Sequence, residues 1–198
     1  MGIYLQGLLM GLAYVAPIGM QNMFIINNSI NKSTKKILIT VFSVIVNDIS
    51  LAITCFLGFG FVISMFPNAK IFIGIIGFLA ILMISINTWK SKPKENSSTA
   101  DIKPIRLFFT AFAVTWLNPQ AIIDGTLILG SMHSSLTNSE HIPFILGFSS
   151  ASLIWFSSLS FIIRKSAKFI SPSKQVLINK VSALILLFFG IRLVFSVL

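Results

Sequence analysis

The residues best placed to do chemistry are two carboxylates set in stretches apolar enough to cross a bilayer. Asp48 lies in TVFSVIVNDISLAITCFLGFGF (Thr40–Phe61), and Asp124 in AFAVTWLNPQAIIDGTLILG (Ala111–Gly130). A carboxylate at the centre of a membrane helix costs roughly 2.5–3.5 kcal/mol on insertion scales, so its position calls for a reason. Such a group can compensate a cation brought in from water, or carry a proton across. Neither acid has a histidine in its own apolar stretch, and the sequence offers no nucleophile–base pair, so catalysis is not expected. Amides stand close by: Asn47 beside Asp48, Asn118 and Gln120 before Asp124, and Gln21 and Asn22 in APIGMQN (Ala16–Asn22).

Two prolines govern how those side chains are presented. Pro119 lacks a backbone donor and drives Asn118 out of the helical region; Pro17, with Gly19, does the same to the first apolar stretch. Carbonyls freed at such breaks must find side chains, water or a ligand, because lipid offers nothing. The two breaks superpose with a shift of 102 residues: Pro17 on Pro119, Asn22 on Asp124, Tyr14 on Trp116, Ser29 on Ser131. Paired breaks in two halves of opposite orientation are the arrangement of many secondary transporters, with the site at mid-membrane.

The rest of the chain supplies the elements to hold that site. It has 198 residues, 55% of them hydrophobic and 10% charged, and a mean hydropathy of +0.91. These values put it in the membrane class. Six apolar runs, Ile3–Asn27, Ile37–Phe66, Ile71–Trp89, Ile105–Met132, Ile142–Ile163 and Val176–Leu198, each reach the roughly 17–25 residues a span requires. The fold expected is therefore all-α, with six transmembrane helices as two inverted three-helix repeats (1–90 and 105–198) joined by a polar linker (91–104), and with helices 1 and 4 interrupted at Pro17 and Pro119. The N-terminus, MGIYLQGLLMG, lacks a basic leader, so the first run reads as a retained span.

The net charge of +10 does not indicate nucleic acid, because its distribution is topological. Lys32, Lys35, Lys36, Lys90, Lys92, Lys94, Lys103, Arg106, Arg164, Lys165, Lys168, Lys174 and Lys180 fall in alternate connections, against Lys70 alone in the others. Basic loops face the cytoplasm, which places both termini outside a bacterial cytoplasmic membrane. Arg192, near the outer end of the last run, snorkels to the interface.

Secondary features have plainer readings. Thr40, Ser43, Asn47, Ser50 and Thr54 recur on one face of the second run, as expected for interhelical hydrogen bonding. Trp155, central in the serine-rich fifth run, either packs or uses its indole N–H on a partner or ligand. Gly74 and Gly77 form a small-residue seam that suits an internal contact or a homodimer. His133, His141 and Glu140 share a short outer loop and are a weak metal signal. Cys55, the sole cysteine, excludes an internal disulfide and a membrane thiol relay.

With both breaks and Asp48 in view, the chain resembles the LysE family of amino-acid exporters along its whole length, and within it the lysine and arginine exporter branch. APIGMQN matches that family's Pro-x-Gly-Pro-Gln-Asn pattern with Met20 at the second proline. AVTWLNPQAIIDGTLILGS (Ala113–Ser131) matches its Trp-Leu-Asn-Pro…Asp run with Gln120 where histidine is common, and Asn47-Asp48 and Ser149–Phe156 also fit. The resemblance implies a six-helix inner-membrane protein that exports basic amino acids on the proton motive force. It implies no cofactor; the partners are a cationic amino acid, protons and lipid. Substrate-binding or proton-coupling residues would be Asp48, Asp124, Asn118, Asn22, Gln21, Asn47 and Trp155. The alternatives are export of neutral amino acids, whose exporters show an Asn-Pro-Lys-like motif at Asn118, and export of a metal cation.

Overall fold

The structure is a computed structural model that describes residues 2–30, 33–58, 67–90, 104–167 and 171–197. Eight helices occupy the described residues, and no strand is found among them: α1 Ile3–Val15, α2 Met20–Ser29, α3 Thr34–Phe56, α4 Pro67–Trp89, α5 Pro104–Trp116, α6 Pro119–Ser135, α7 Asn138–Ser166 and α8 Pro172–Val197. The first apolar run is thus α1 plus α2, and the fourth is α5 plus α6. The linker lies outside the described residues up to 103, as do Lys32, Lys92, Lys94 and Lys168.

Length and composition alone qualify α3 and α7 as membrane-crossing, and α1 with α2 as a third, broken span bent by 77°. At 1.5 Å per residue, the 23 residues of α3 extend about 34 Å, enough for a hydrocarbon core of about 30 Å. Leu38, Phe42, Met83, Phe109, Phe161 and Phe188 are all exposed. So much large apolar surface is a liability in water and is expected against lipid.

Glycine sets the closest helix approaches. In α1, a Cβ on Gly7 would strike the carbonyl of Phe144, and in α7 one on Gly147 would strike that of Tyr4. The two backbones therefore touch directly, as small residues permit in lipid, where burial of apolar surface gives no drive. Gly77 in α4 meets the carbonyl of Leu117 in the same way, so this part of the glycine seam packs α4 onto the break between α5 and α6. α4 also lies along α8, where Ser85 donates to the Ala183 carbonyl at 2.8 Å.

α3 and α7 run in opposite directions through the centre. At one end Arg164, late in α7, donates to Thr34 at the start of α3 (2.7 Å). At the other, Phe56 meets the rings of His133 and His141 edge-on, with centroids 4.8 and 5.3 Å away. Lys35, Lys36, Arg164 and Lys165 gather at the first end, Glu140 and both histidines at the second. The short α2 and α6 pack beside this central pair, flanked by α1 and α5.

Candidate functional site

Asp48 is the hub. It is 3% exposed, midway along α3, and both carboxylate oxygens accept a hydrogen bond. Gln21 Nε2, in the first turn of α2, donates to Oδ1 at 3.1 Å; Ser152 Oγ of α7 donates to Oδ2. The same Gln21 nitrogen donates to Thr115 Oγ1 at 2.9 Å, in the last turn of α5. One carboxylate thereby links α2, α3, α5 and α7, and its direct partners are neutral donors. A buried carboxylate of this kind is a place for a cation or a proton.

The break at Pro17 is closed from within. Gly19 and the three residues before it separate α1 from α2, and Ile18 at the tip is 65% exposed. Asn22 Nδ2 donates to the carbonyls of Val15 (3.1 Å) and Pro17 (2.7 Å), two of the groups the missing turn would have served. Its Oδ1 accepts the indole N–H of Trp155 at 2.9 Å. Asn22 is thus fully engaged in the fold, and the Trp155 indole has its partner there. The N-terminus of α2 is left otherwise: Gly19 has no side chain to cap it, and a Cβ there would meet only the Pro17 carbonyl, at 3.9 Å. Gly19 has φ −135°, which any residue adopts, so open space rather than backbone conformation distinguishes it.

The break at Pro119 is closed from the opposite side. Asn118 is extended (φ −112°, ψ 91°), as a residue before proline must be, and its Oδ1 accepts the Ala121 N–H at 3.4 Å as an N-cap. The opening of α6 is tied down further by Tyr14, whose hydroxyl donates to the Ala121 carbonyl at 2.9 Å, and by Cys55, whose Sγ lies 3.7 Å from the Ile122 carbonyl. Gly125 makes room for both, since a Cβ would come within 3.1 Å of each. Asp124 adjoins this contact and is half-buried. The Tyr14 hydroxyl lies within electrostatic reach of both Asp48 and Asp124.

Asn47 takes no part in the Asp48 cluster. Its amide donates back to the Ser43 carbonyl at 2.8 Å, and the polar stripe around it behaves alike: Thr40, Ser43, Ser50 and Thr54 each bond a carbonyl one turn earlier in α3. The expected interhelical bonding is replaced by the nearest available acceptor. The exception is Ser50, which also accepts the Trp116 indole N–H at 3.2 Å and so joins α3 to α5. The side chains of Pro119 and Gln120 lie outside the described residues. Ser152, Thr115, Tyr14 and Trp116 complete the site; none was named as a site residue from the sequence, although Tyr14 and Trp116 stood at matching positions beside the two breaks. A hydroxyl one helix away from a buried acid has no local signature, although the abundance of serine in the fifth run was visible.

At the end of the bundle away from Arg164, His133 and His141 stack with centroids 4.2 Å apart, and His141 Nε2 lies 3.0 Å from the His133 carbonyl and 3.2 Å from that of Leu136. This ties the end of α6 to the start of α7. Glu140 closes a capping box with Thr137, whose N–H and hydroxyl hold its carboxyl below the usual range. No three metal-ligating side chains converge among the described residues.

Comparison with known proteins gives a consistent result. The model of the LysE-type translocator family matches residues 12–197. The arginine exporter protein ArgO of Escherichia coli (strain K12) is 28% identical over 196 residues, covering 96% of this chain and 92% of that protein. The arginine exporters of Shigella flexneri and Pectobacterium atrosepticum are also 28% identical, over 96% and 89% of this chain and 92% and 89% of theirs. No solved structure matches.

Proposed function

The chain belongs to the LysE-type translocator family and is a transporter, not an enzyme; from this premise we propose that it exports arginine, and lysine with it, across the bacterial cytoplasmic membrane in exchange for protons. The observation that carries the reading is the buried Asp48 carboxylate, held by two neutral donors where four helices meet.

A basic amino acid brings two positive groups and one negative. The cation, guanidinium or ammonium, would replace a proton at Asp48. The α-carboxylate would meet the uncapped first turn of α2, where backbone N–H groups and the helix dipole favour an anion. Gln21 sits in that turn and bonds Asp48, so one side chain joins the two charge sites. The corresponding turn of α6 already has Asn118 as a cap, which makes it the poorer carboxylate site. Asp124, the second acid, would receive the remaining ammonium. Asn22 and Trp155 keep the first break rigid, and Asn118 keeps the second; Asn47 stiffens α3.

The same reading covers topology. The pairing of α1 with α7 is mirrored by that of α5 with α3, and α4 pairs with α8. An exchange of halves 1–90 and 105–198 predicts this pattern and supports two inverted repeats and six spans. The basic end, with Lys35, Lys36, Arg106 and Arg164, would face the cytoplasm and both termini the outside.

Uptake of labelled arginine into inside-out membrane vesicles tests the proposal. Asp48→Asn should lower arginine kcat/KM by about thirtyfold or more, given roughly 2–5 kcal/mol for removing one partner of a buried charge pair. Asp124→Asn should weaken transport less. Wild-type arginine uptake in the Asp48→Asn protein would remove the mechanism. Preferential transport of threonine or homoserine by the wild type would move the chain to the neutral exporters.

A further inference from the structure

Direct hydrogen bonds hold α2 on two of its sides. Gln21 reaches Asp48 of α3 and Thr115 of α5, while Asn22 accepts from Trp155 and Ser29 bonds Ser160, both on α7, at 2.9 and 3.0 Å. At about 100° per residue, Asn27 points about 120° away from Gln21 and about 140° away from Asn22, toward a third side. α8 packs on α2 there. Both polar atoms of the Asn27 amide are sealed from solvent and have no hydrogen-bond partner in the protein. Ser182 of α8 is in the same condition: it is fully buried, and its hydroxyl has no partner. Its direction follows from Gly190, where a Cβ would meet Ile81 and Phe78 of α4. Ser182, eight residues earlier, points about 80° round from α4, toward α2. The two side chains also share a level. α2 ends, and α8 begins, at the basic end of the bundle. Met23 and Leu186 belong to one buried cluster, and one turn from it toward that end reaches Asn27 on α2 and Ser182 on α8.

Polar groups orphaned in a dry contact destabilise it, and apolar residues of similar shape would seal it better. These groups are satisfied when α2 and α8 part and water enters. The surrounding contacts permit that motion. α8 packs chiefly on α4, through Ser85 to the Ala183 carbonyl and through Gly190, so the two helices form one unit. That unit meets the α5–α6 break at Gly77, close against the Leu117 carbonyl. We propose that α4 and α8 rock together about Gly77, and that the α2–α8 seam, with Asn27 and Ser182 facing each other across it, is the cytoplasmic gate of the transporter. From Asn27, Met23 and Met20 continue along the same face to the uncapped first turn of α2. An open seam therefore leads from the basic end to the carboxylate site. The inference rests on the transporter reading and on the basic end facing the cytoplasm, but not on the identity of the transported solute.

Inside-out membrane vesicles carrying the full-length protein provide the test. In the Asn27→Cys/Ser182→Cys variant, oxidation should link the two cysteines and stop arginine uptake, and a reductant should restore it. Wild-type protein, with Cys55 alone, should keep its uptake through the same treatment. Failure of the pair to link, or undiminished uptake by the linked protein, would overturn the gate. The single variant Ser182→Cys gives a second reading. A membrane-impermeant thiol reagent should modify it in inside-out but not in right-side-out vesicles, although Ser182 is fully buried in the closed form. Lys165→Cys, exposed near the end of α7, shows that the reagent reaches that face. Protection of Ser182→Cys from both sides while Lys165→Cys reacts, or modification only in right-side-out vesicles, would overturn the proposal. Ser182→Ala removes an orphaned hydroxyl, so it should raise the thermal midpoint and slow uptake. A lower midpoint would mean that the hydroxyl is bonded in the closed form, and would count against the gate. Uptake of another amino acid in place of arginine by the wild type counts against the transported solute alone, and the cysteine readings then stand with that solute.

Discussion

At Pro17 the chain bends by 77° and the loose groups are carbonyls; at Pro119 they are amide N–H groups. Asn22 lies downstream of the first break and reaches back to two carbonyls, whereas Asn118 lies upstream of the second and caps the start of α6. The first solution occupies a whole buried amide and recruits Trp155 from α7. The second uses one oxygen at a half-buried position. The contrast bears on transport. The interlocked break leaves the start of α2 uncapped beside Asp48, while the simpler break leaves α6 capped and relies on Tyr14 and Cys55 to hold it. On the proposed inverted repeat, the two breaks are equivalent positions with different solutions, one left uncapped beside Asp48 and the other capped.

Three changes sharpen or break this contrast. Asn22→Ala orphans two carbonyls and an indole N–H in or near the core, at about 1–3 kcal/mol for each buried group. A stability loss on the order of 3–5 kcal/mol is expected, seen as a large drop in thermal midpoint in detergent; a drop no greater than for Asn118→Ala would erase the distinction between the breaks. Asn118→Ala removes one cap bond and should lower stability by only about 1 kcal/mol, with Asn118→Asp restoring it. The smallest effect lies at the end that holds His133 and His141. The folded state lowers the Glu140 pKa, so its contribution is full above the ordinary glutamate value of about 4.3 and is lost as pH falls through the lowered one. Glu140→Gln should therefore lower stability slightly at neutral pH and leave it unchanged below the lowered pKa, which flattens the acid limb of the stability–pH curve.

Local chemistry was legible in the sequence where backbone rules act alone. Pro17 with Gly19 and Pro119 each mark a real interruption, because proline removes a donor wherever it falls. Asp48 stood out because charge is rare in apolar runs. Relations between helices were not legible. Nothing in the spacing of Gln21, Thr115 and Ser152 says that they meet at one carboxylate, since helix packing brings them together. The α3 stripe shows the converse. Its periodicity is real, yet each hydroxyl has a closer acceptor in its own helix, so a pattern that suggested neighbours describes mostly self-contained bonds. Gly77 likewise fits a glycine seam of any purpose, and only the position of the Leu117 carbonyl gives it a partner within the chain.

The central claim is that arginine and a proton compete for Asp48, and proton release on binding tests it most directly. Titration of purified protein with arginine by calorimetry, in two buffers of different ionisation enthalpy, counts the protons displaced. The account predicts net proton release by the wild type and none by Asp48→Asn, with weaker binding in the variant. Equal proton release by the two proteins would contradict it.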